Sequence, residues 1–249
     1  MKTILATLLL CAFPLFAESI GTFDPVARTW SVKCANFSCC FYPGQMFPSR
    51  FMLKEAGELP RSGFGDYVMD TDKKIGFSLK YDRWAESKVL INTKENFSIE
   101  LTGKFCRPGV KRKEELSGVT AVYRYDFSAD KPGFKISFFL QKAPQVSANL
   151  RIMKTLSPDW NEIWFDSWRE LPTGTKQKLN PGRFIDRHKT KGVEFIGKKF
   201  SMQVFSRRII AILTPQMKIN SFVNAGCWTT DWKTAEFKGD AEFLFLITH

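Results

Sequence analysis

Histidine is almost missing from this sequence: His188 and His249 are the only two among 249 residues. A Ser–His triad would have to use one of them, and no G-x-S-x-G elbow accompanies either. The zincin pattern H-E-x-x-H, the phosphate-binding loop and the dinucleotide fingerprint are absent too. Cysteine is sparse. Beyond Cys11 there remain Cys34, Cys39, Cys40, Cys106 and Cys227. The spacing Cys34-x4-Cys39-Cys40 has no second cysteine pair and no nearby histidine, so no metal site is expected. Asp70 and Asp72 are followed by Lys73 and Lys74, which spoils a calcium loop. No cofactor is therefore expected. Acids are the scarcer charge, 25 against 37 Lys and Arg, which leaves a formal +12. That surplus attracts polyanions.

Long apolar runs are also lacking, except at the start. Lys2 precedes an apolar stretch from Ile4 to Phe16, and Ala17 follows. A short basic start, an apolar middle and a small closing residue are the layout of a secretory signal peptide. The stretch falls short of the roughly 20 residues of a comfortable membrane span. Residues 1–17 are thus expected to be removed, and 18–249 to form one domain in a secreted or periplasmic protein. No integral membrane segment is expected in the mature chain. Export argues against nucleic acid as the polyanion and in favour of an acidic polysaccharide or envelope surface. It also permits disulfides. Five remaining cysteines is an odd number, so either one disulfide with leftover thiols or buried free thiols throughout would fit.

Amphipathic helices are nearly absent as well, while strand patterns are plentiful. Residues 28–33, 74–82, 97–105 and 146–154 alternate apolar and polar positions. VTAVYRYDF (119–127) and GFKISFFLQ (133–141) are rich in β-formers and are separated by the turn residues SADKPG. KVLIN (88–92), GVEFI, FSMQVF, RIIAIL, KINSFV and AEFLFLITH complete the set. Many short strands at close spacing specify an all-β class, a single large antiparallel β-sandwich. Apolar residues at 44% and 24 phenylalanines supply its core. One span, 171–192, reads as a long irregular loop. It carries Lys176, Lys178, Arg183, Arg187, Lys189 and Lys191, with Arg169 just upstream. A long basic loop in a compact β domain points to a binding role.

The stretch DWNEIWFDSWRE (159–170) stands apart. Trp160, Trp164 and Trp168 recur every four residues, and so do Glu162, Asp166 and Glu170. As a helix begun by Ser157-Pro158-Asp159, it would bury a tryptophan stripe and solvate the acids. As a strand, every even position falls on one face, with Ile163 and Phe165 on the core side. The β-rich surroundings favour the strand. Aromatic faces stack on sugar rings while carboxylates accept hydroxyl hydrogen bonds, so this face suits carbohydrate. The tryptophans would serve equally well as core. In a strand, Glu162 and Asp166 lie about 13 Å apart, too far for the roughly 5–9.5 Å of a glycosidase pair.

Other candidates are weaker. Polysaccharide lyase chemistry needs a base beside a cation. Tyr123 and Tyr125 flank Arg124 on one strand, and His188 sits between Arg187 and Lys189. Trp228 and Trp232 form a second aromatic group. The C-terminal pieces GVEFIGKKFSMQVF, RRIIAIL and WKTAEFKGDAEFLFLITH resemble, in strand rhythm, the closing strands of the galactose-mutarotase-like supersandwich found in carbohydrate-active proteins. The resemblance implies a supersandwich-like fold and a sugar-related role. It carries no catalytic motif and assigns no residue. The expected function is binding of acidic or neutral polysaccharide without catalysis, through Trp160, Trp164, Trp168, Glu162, Asp166, Trp228 and Trp232, with Arg183, Arg187 and Lys189 as anion contacts. The alternatives are a lyase or glycoside hydrolase using Tyr123, Tyr125 or His188, and a structural or envelope-assembly protein whose tryptophans are core.

Overall fold

A computed structural model of the chain describes residues 19–58, 64–70, 72–79, 82, 85–107, 115–156, 160–165, 175–178, 185–197, 200–214 and 223–247; for 149–191 and 207–232 it is the backbone that is described. Among these residues there are eighteen strands, and no helix is long and apolar enough to cross a membrane.

The first five strands, β1 (Gly21–Asp24), β2 (Thr29–Lys33), β3 (Phe37–Phe41), β4 (Ser49–Leu53) and β5 (Gly57–Glu58), form an antiparallel meander in chain order. Local chemistry sets its turns. The Asp24 carboxylate accepts the N–H groups of Val26 at 2.8 Å and Ala27 at 3.0 Å, a side-chain turn that lets Arg28 adopt a φ of 53°. The same device recurs between β6 (Phe64–Asp70) and β7 (Ile75–Phe77), where Asp70 accepts from Asp72 and Lys73 at 3.1 Å each.

The remaining strands build the large sheet. They are β8 (Glu86–Asn92), β9 (Asn96–Cys106), β10 (Glu115–Ser128), β11 (Gly133–Gln141), β12 (Ala148–Leu156), β13 (Trp160–Phe165), β14 (Thr175–Lys178), β15 (Ile185–Gly197), β16 (Phe200–Thr214), β17 (Val223–Trp232) and β18 (Glu236–Ile247). Their order is β7-β6-β12-β17-β16-β18-β11-β10-β9-β8, with β15 also paired to β16, β13 to β15 and β14 to β13. All pairings are antiparallel. The all-β sandwich expected from the alternation is the observed architecture. The basic span 171–192 is a correction in part: β14 and the first half of β15 lie within it, so Lys176, Lys178, Arg187, His188 and Lys189 belong to strands. A run as dense in charge as Asp186 to Lys191 can still be a strand when its backbone is paired to a neighbour, here β16. Arg183 lies outside the described residues.

The core sits between the meander and one face of the large sheet, and phenylalanine fills it. Phe37 on β3 meets Phe245 on β18 at 5.0 Å between ring centroids, and Phe51 on β4 meets Phe134 on β11 at 6.0 Å. Phe134 also packs on Phe127 at 5.3 Å and Phe243 at 5.1 Å. Tilted and offset ring pairs of this kind contribute beyond their buried area. Period two then fixes the other face: on β11 the odd positions Lys135, Ser137 and Phe139 turn away from the core while 134, 136, 138 and 140 are buried.

Among the described residues Cys34, Cys39 and Cys40 carry free thiols, and the Cys106 thiol donates to the Lys104 carbonyl at 3.4 Å. Burial, with Asp130 nearby, pushes the Cys34 thiol up from 9.0 to about 12. Burial, then the neighbouring Cys34 and Cys40, pushes Cys39 well above its ordinary range. Only the thiolate is reactive, so Cys34 and Cys39 should resist alkylation at pH 8 until the protein unfolds. In the unfolded chain these thiols ionise from about pH 9, while the folded ones keep their protons. Stability should therefore fall as pH rises from 9 towards 12. Denaturant titrations at pH 8 and 10.5 should show that fall, and a smaller one in Cys34→Ala; an equal fall in both proteins would remove Cys34 from the cause.

Candidate functional site

The stretch that reads as strand or helix is a strand over Trp160–Phe165. Its register places Glu162 opposite Lys178 on β14 and Ile196 on β15, and Trp164 opposite Lys176 and Glu194. Asp166, Trp168 and Glu170 lie outside the described residues. On β15, His188 pairs with Ile212 and Lys189 with Ala211, and Arg187 falls in the register shift before them. Trp228 and Trp232 lie on β17, opposite Ile152 and Ala148 of β12. The expected aromatic groups thus sit on separate strands, with β15 and β16 between β13 and β17.

Tyr123 and Tyr125, the candidate bases, lie in the core. Both rings are fully buried, 6.4 Å apart between centroids, and the Tyr125 hydroxyl donates to the Met46 carbonyl at 2.8 Å. Alternation put both tyrosines on one face, and that face is the core. Neither phenol meets a polymer at the surface.

A cavity of about 270 Å³ opens instead on the opposite face of the large sheet, where β11, β18 and β16 run side by side. Lys135 and Ser137 from β11, Asp240 and Glu242 from β18, and Phe205 from β16 line it. The register explains their convergence. Asp126, Lys135, Glu242, Phe205 and Gly192 occupy one row across β10, β11, β18, β16 and β15. Arg124, Ser137 and Asp240 occupy a second row. Trp164, Glu194, Gln203 and Leu244 occupy a third, two residues along β16 and β18 from the first. Trp164 is therefore one row along and two strands across from Phe205, on the order of 12 Å away by strand spacing and rise.

Hydrogen bonds hold this face in shape. The Asp126 carboxylate accepts from Ser98 Oγ at 2.6 Å and from Arg124 Nε at 2.9 Å. Ser206 Oγ donates to the Asp240 carbonyl at 2.7 Å, tying β16 to β18, and Ser201 Oγ donates to Glu194 at 2.9 Å. Lys238 Nζ sits 5.1 Å above the Phe139 ring. Among the described residues no three or more His, Cys, Asp or Glu side chains gather to hold a metal. The arrangement can seat a small polar molecule: an aromatic side wall, two carboxylates as acceptors, and an ammonium and a hydroxyl as donors. Sequence reading passed over Lys135, Ser137, Phe205, Asp240 and Glu242. For Lys135, Ser137, Asp240 and Glu242 the signal was the polar half of the alternation in GFKISFFLQ and KGDAEFLFL, legible as a solvated face but silent about which solvated positions converge.

No protein family profile and no curated protein matches the chain. Solved structures do share its fold. A member of glycosyl hydrolase family 38 from Enterococcus faecalis superposes with a TM-score of 0.65 at 8% identity, over 93% of this chain and 31% of that one. The 4-alpha-glucanotransferase of Thermococcus litoralis gives 0.59 at 10% identity, over 94% of this chain and 42% of that one. An aldose epimerase homologue from C. elegans gives 0.50 at 8% identity, over 89% of this chain and 100% of that one. The chain thus spans less than half the length of the first two. At these identities the likeness bears on fold alone: the fold of this chain is similar to that of these three proteins, in line with the resemblance in rhythm of its C-terminal strands.

Proposed function

We propose that the protein is an exported carbohydrate-binding β-sandwich that holds its glycan on the solvent-facing side of the large sheet without turning it over. The observation that carries this reading is the cavity where Phe205 stands beside Asp240, Glu242, Lys135 and Ser137. An apolar ring flanked by a few hydrogen-bonding groups is the general composition of a sugar site. Trp164 lies one register row along and two strands across from Phe205, within reach of a glycan longer than one sugar unit. The similarity of the fold to a glycosyl hydrolase, a glucanotransferase and an epimerase homologue supports a sugar-related role. The net charge of +12, with Lys176, Lys178, Arg187 and Lys189 on β14 and β15, supports acidic stretches in the glycan.

A screen of acidic and neutral polysaccharides for binding and for turnover tests the reading. Binding without release of reducing or unsaturated ends is expected. Affinity for acidic glycan should weaken steeply with salt, because the screening length drops from about 10 Å at 0.1 M to about 3 Å at 1 M. Arg187→Gln together with Lys189→Gln should weaken acidic glycan selectively. Turnover of any polysaccharide would replace the binding reading with an enzymatic one. Export follows from the same proposal: N-terminal sequencing of the secreted protein should begin near Glu18, and retention of Met1 would contradict it.

A further inference from the structure

A line of aromatic rings runs from the core to solvent at the edge of the sandwich. Phe127 on β10 and Phe97 on β9 are buried, with ring centroids 6.1 Å apart. Trp30 on β2 is partly buried and packs on Phe97 at 5.5 Å. Phe23 on β1 packs on Trp30 at 5.0 Å with the planes tilted by 39°, and it is 45% exposed. Three features hold this outer pair in place. Phe23 and Trp30 lie directly opposite each other in the β1–β2 register. The turn between the two strands is fixed by the Asp24 carboxylate, which accepts the Val26 and Ala27 N–H groups. Gly21 leaves the space that Phe97 fills, since a Cβ there would fall 2.2 Å from Phe97 Cδ2. Trp30 also presents a polar edge. Among the described residues its indole N–H has no hydrogen-bond partner, and it is not a buried orphan, so this donor is open to solvent.

We infer that Phe23 and Trp30 form a second carbohydrate contact, where one sugar ring lays its apolar face on the tilted pair and accepts the Trp30 indole N–H at a hydroxyl. The contact is separate from the cavity, which opens on the outward face of the large sheet; the choice of a sugar as its ligand rests on the carbohydrate reading. Size argues against a protein partner. Even with Val26, 93% exposed in the hairpin turn, the apolar surface on offer is on the order of 300 Å². A specific protein interface needs roughly 800 Å² from each partner. Strand addition is closed off as well. The Asn92 side chain accepts the Gly21 N–H at 3.2 Å and donates to the Gly21 carbonyl at 3.0 Å, and the Ile20 N–H donates to the Thr93 carbonyl at 3.0 Å. Only Thr22 to Asp24 of the β1 edge are left, against the roughly five or six residues of an ordinary strand. A ligand the size of one ring fits what remains: two apolar faces for stacking and one donor at their border. The cavity offers several polar groups beside its ring, so the Phe23–Trp30 contact is the weaker of the two.

The test is a nuclear magnetic resonance titration of the full mature chain, isotope-labelled, with maltotriose, cellotriose and trigalacturonate in turn. The indole N–H signals are read directly, and Trp30→Phe identifies the one that belongs to Trp30. That signal is expected to shift in a saturable way with at least one of the three sugars, a readout in the native protein that needs no variant. Phe23→Ala should weaken the saturation on the order of ten-fold, comparable to the loss of stacking on an aromatic side chain, with its folding checked by thermal melting. Phe205→Ala should leave the Trp30 saturation unchanged. A Trp30 signal that stays fixed while the same sugar shifts others would overturn the second contact and leave the carbohydrate reading standing. Equal saturation in the native protein and in Phe23→Ala would overturn it as well. So would a Trp30 signal that moves with protein concentration and not with sugar, which would assign the pair to self-association. No response to these sugars or to any member of the wider glycan screen would remove both readings.

Discussion

Phe134→Ala is expected to cost about 3–5 kcal/mol of folding stability, the range for emptying a large aromatic site in a core. Phe134 is 2% exposed and is the hub of the aromatic cluster. Its ring lies 5.1 Å from Phe243, 5.3 Å from Phe127, 6.0 Å from Phe51 and 6.1 Å from Tyr125. The meander and the large sheet both contribute to that list, so a cavity at this point loosens the contact between the two layers, not just one strand. Neighbouring rings cannot collapse into the space without breaking their own pairings. A chemical denaturation curve measures the loss. A cost below about 1 kcal/mol, the level of an ordinary surface change, would mean that the layers do not meet at Phe134.

Gly133→Ala should be comparably severe for the opposite reason, excess atoms in place of missing ones. A Cβ at Gly133 would fall inside the van der Waals radius of the Phe243 carbonyl oxygen and press on the Leu244 backbone. Gly133 opens β11 directly opposite Leu244 on β18. The obstacle is main chain, which cannot rotate aside as a side chain can, and the β11–β18 ladder is the one that carries Lys135, Ser137, Asp240 and Glu242. The cost should reach or exceed the upper end of the roughly 1–3 kcal/mol typical of overpacking. Gly57→Ala is the contrast. Its φ is +79° with nothing within 4 Å of a new Cβ, so it should cost only the strain of a left-handed residue, about 1–2 kcal/mol. If the two alanine variants melt alike, strand crowding at β11–β18 is not what Gly133 relieves.

The sandwich was legible because alternation is a local property. GFKISFFLQ coincides with β11, and FSIELTGKF falls inside β9. The meander was less legible although β3 alternates cleanly, with Phe37, Cys39 and Phe41 buried, because strands of four or five residues give the pattern little length in which to repeat. The basic span 171–192 hid β14 and the first half of β15, since charge density masks a strand whose pairing is supplied by distant partners. The site was legible only in part. Trp164 and Glu162 do lie on a strand, as even-position periodicity indicates, but periodicity cannot tell which strand comes to lie alongside. Phe205 and Glu242 are 37 residues apart in sequence and become neighbours only through the β16–β18 register. The same lack of long-range information kept Tyr123 and Tyr125 among the candidate bases. Their shared face was readable; that the meander covers it was not.

The direct measurement of the central claim is the affinity of the best-binding glycan for the native protein and for Phe205→Ala, both titrated under the same salt. Phe205 is partly exposed at the cavity, so the variant should keep its melting temperature within a few degrees while losing the sugar's aromatic contact. A loss of affinity on the order of ten-fold is expected, comparable to the roughly 1–3 kcal/mol measured for stacking of a planar ligand on an aromatic side chain. Unchanged affinity with unchanged melting would place the glycan elsewhere on the molecule and contradict the assignment of this face as the binding surface.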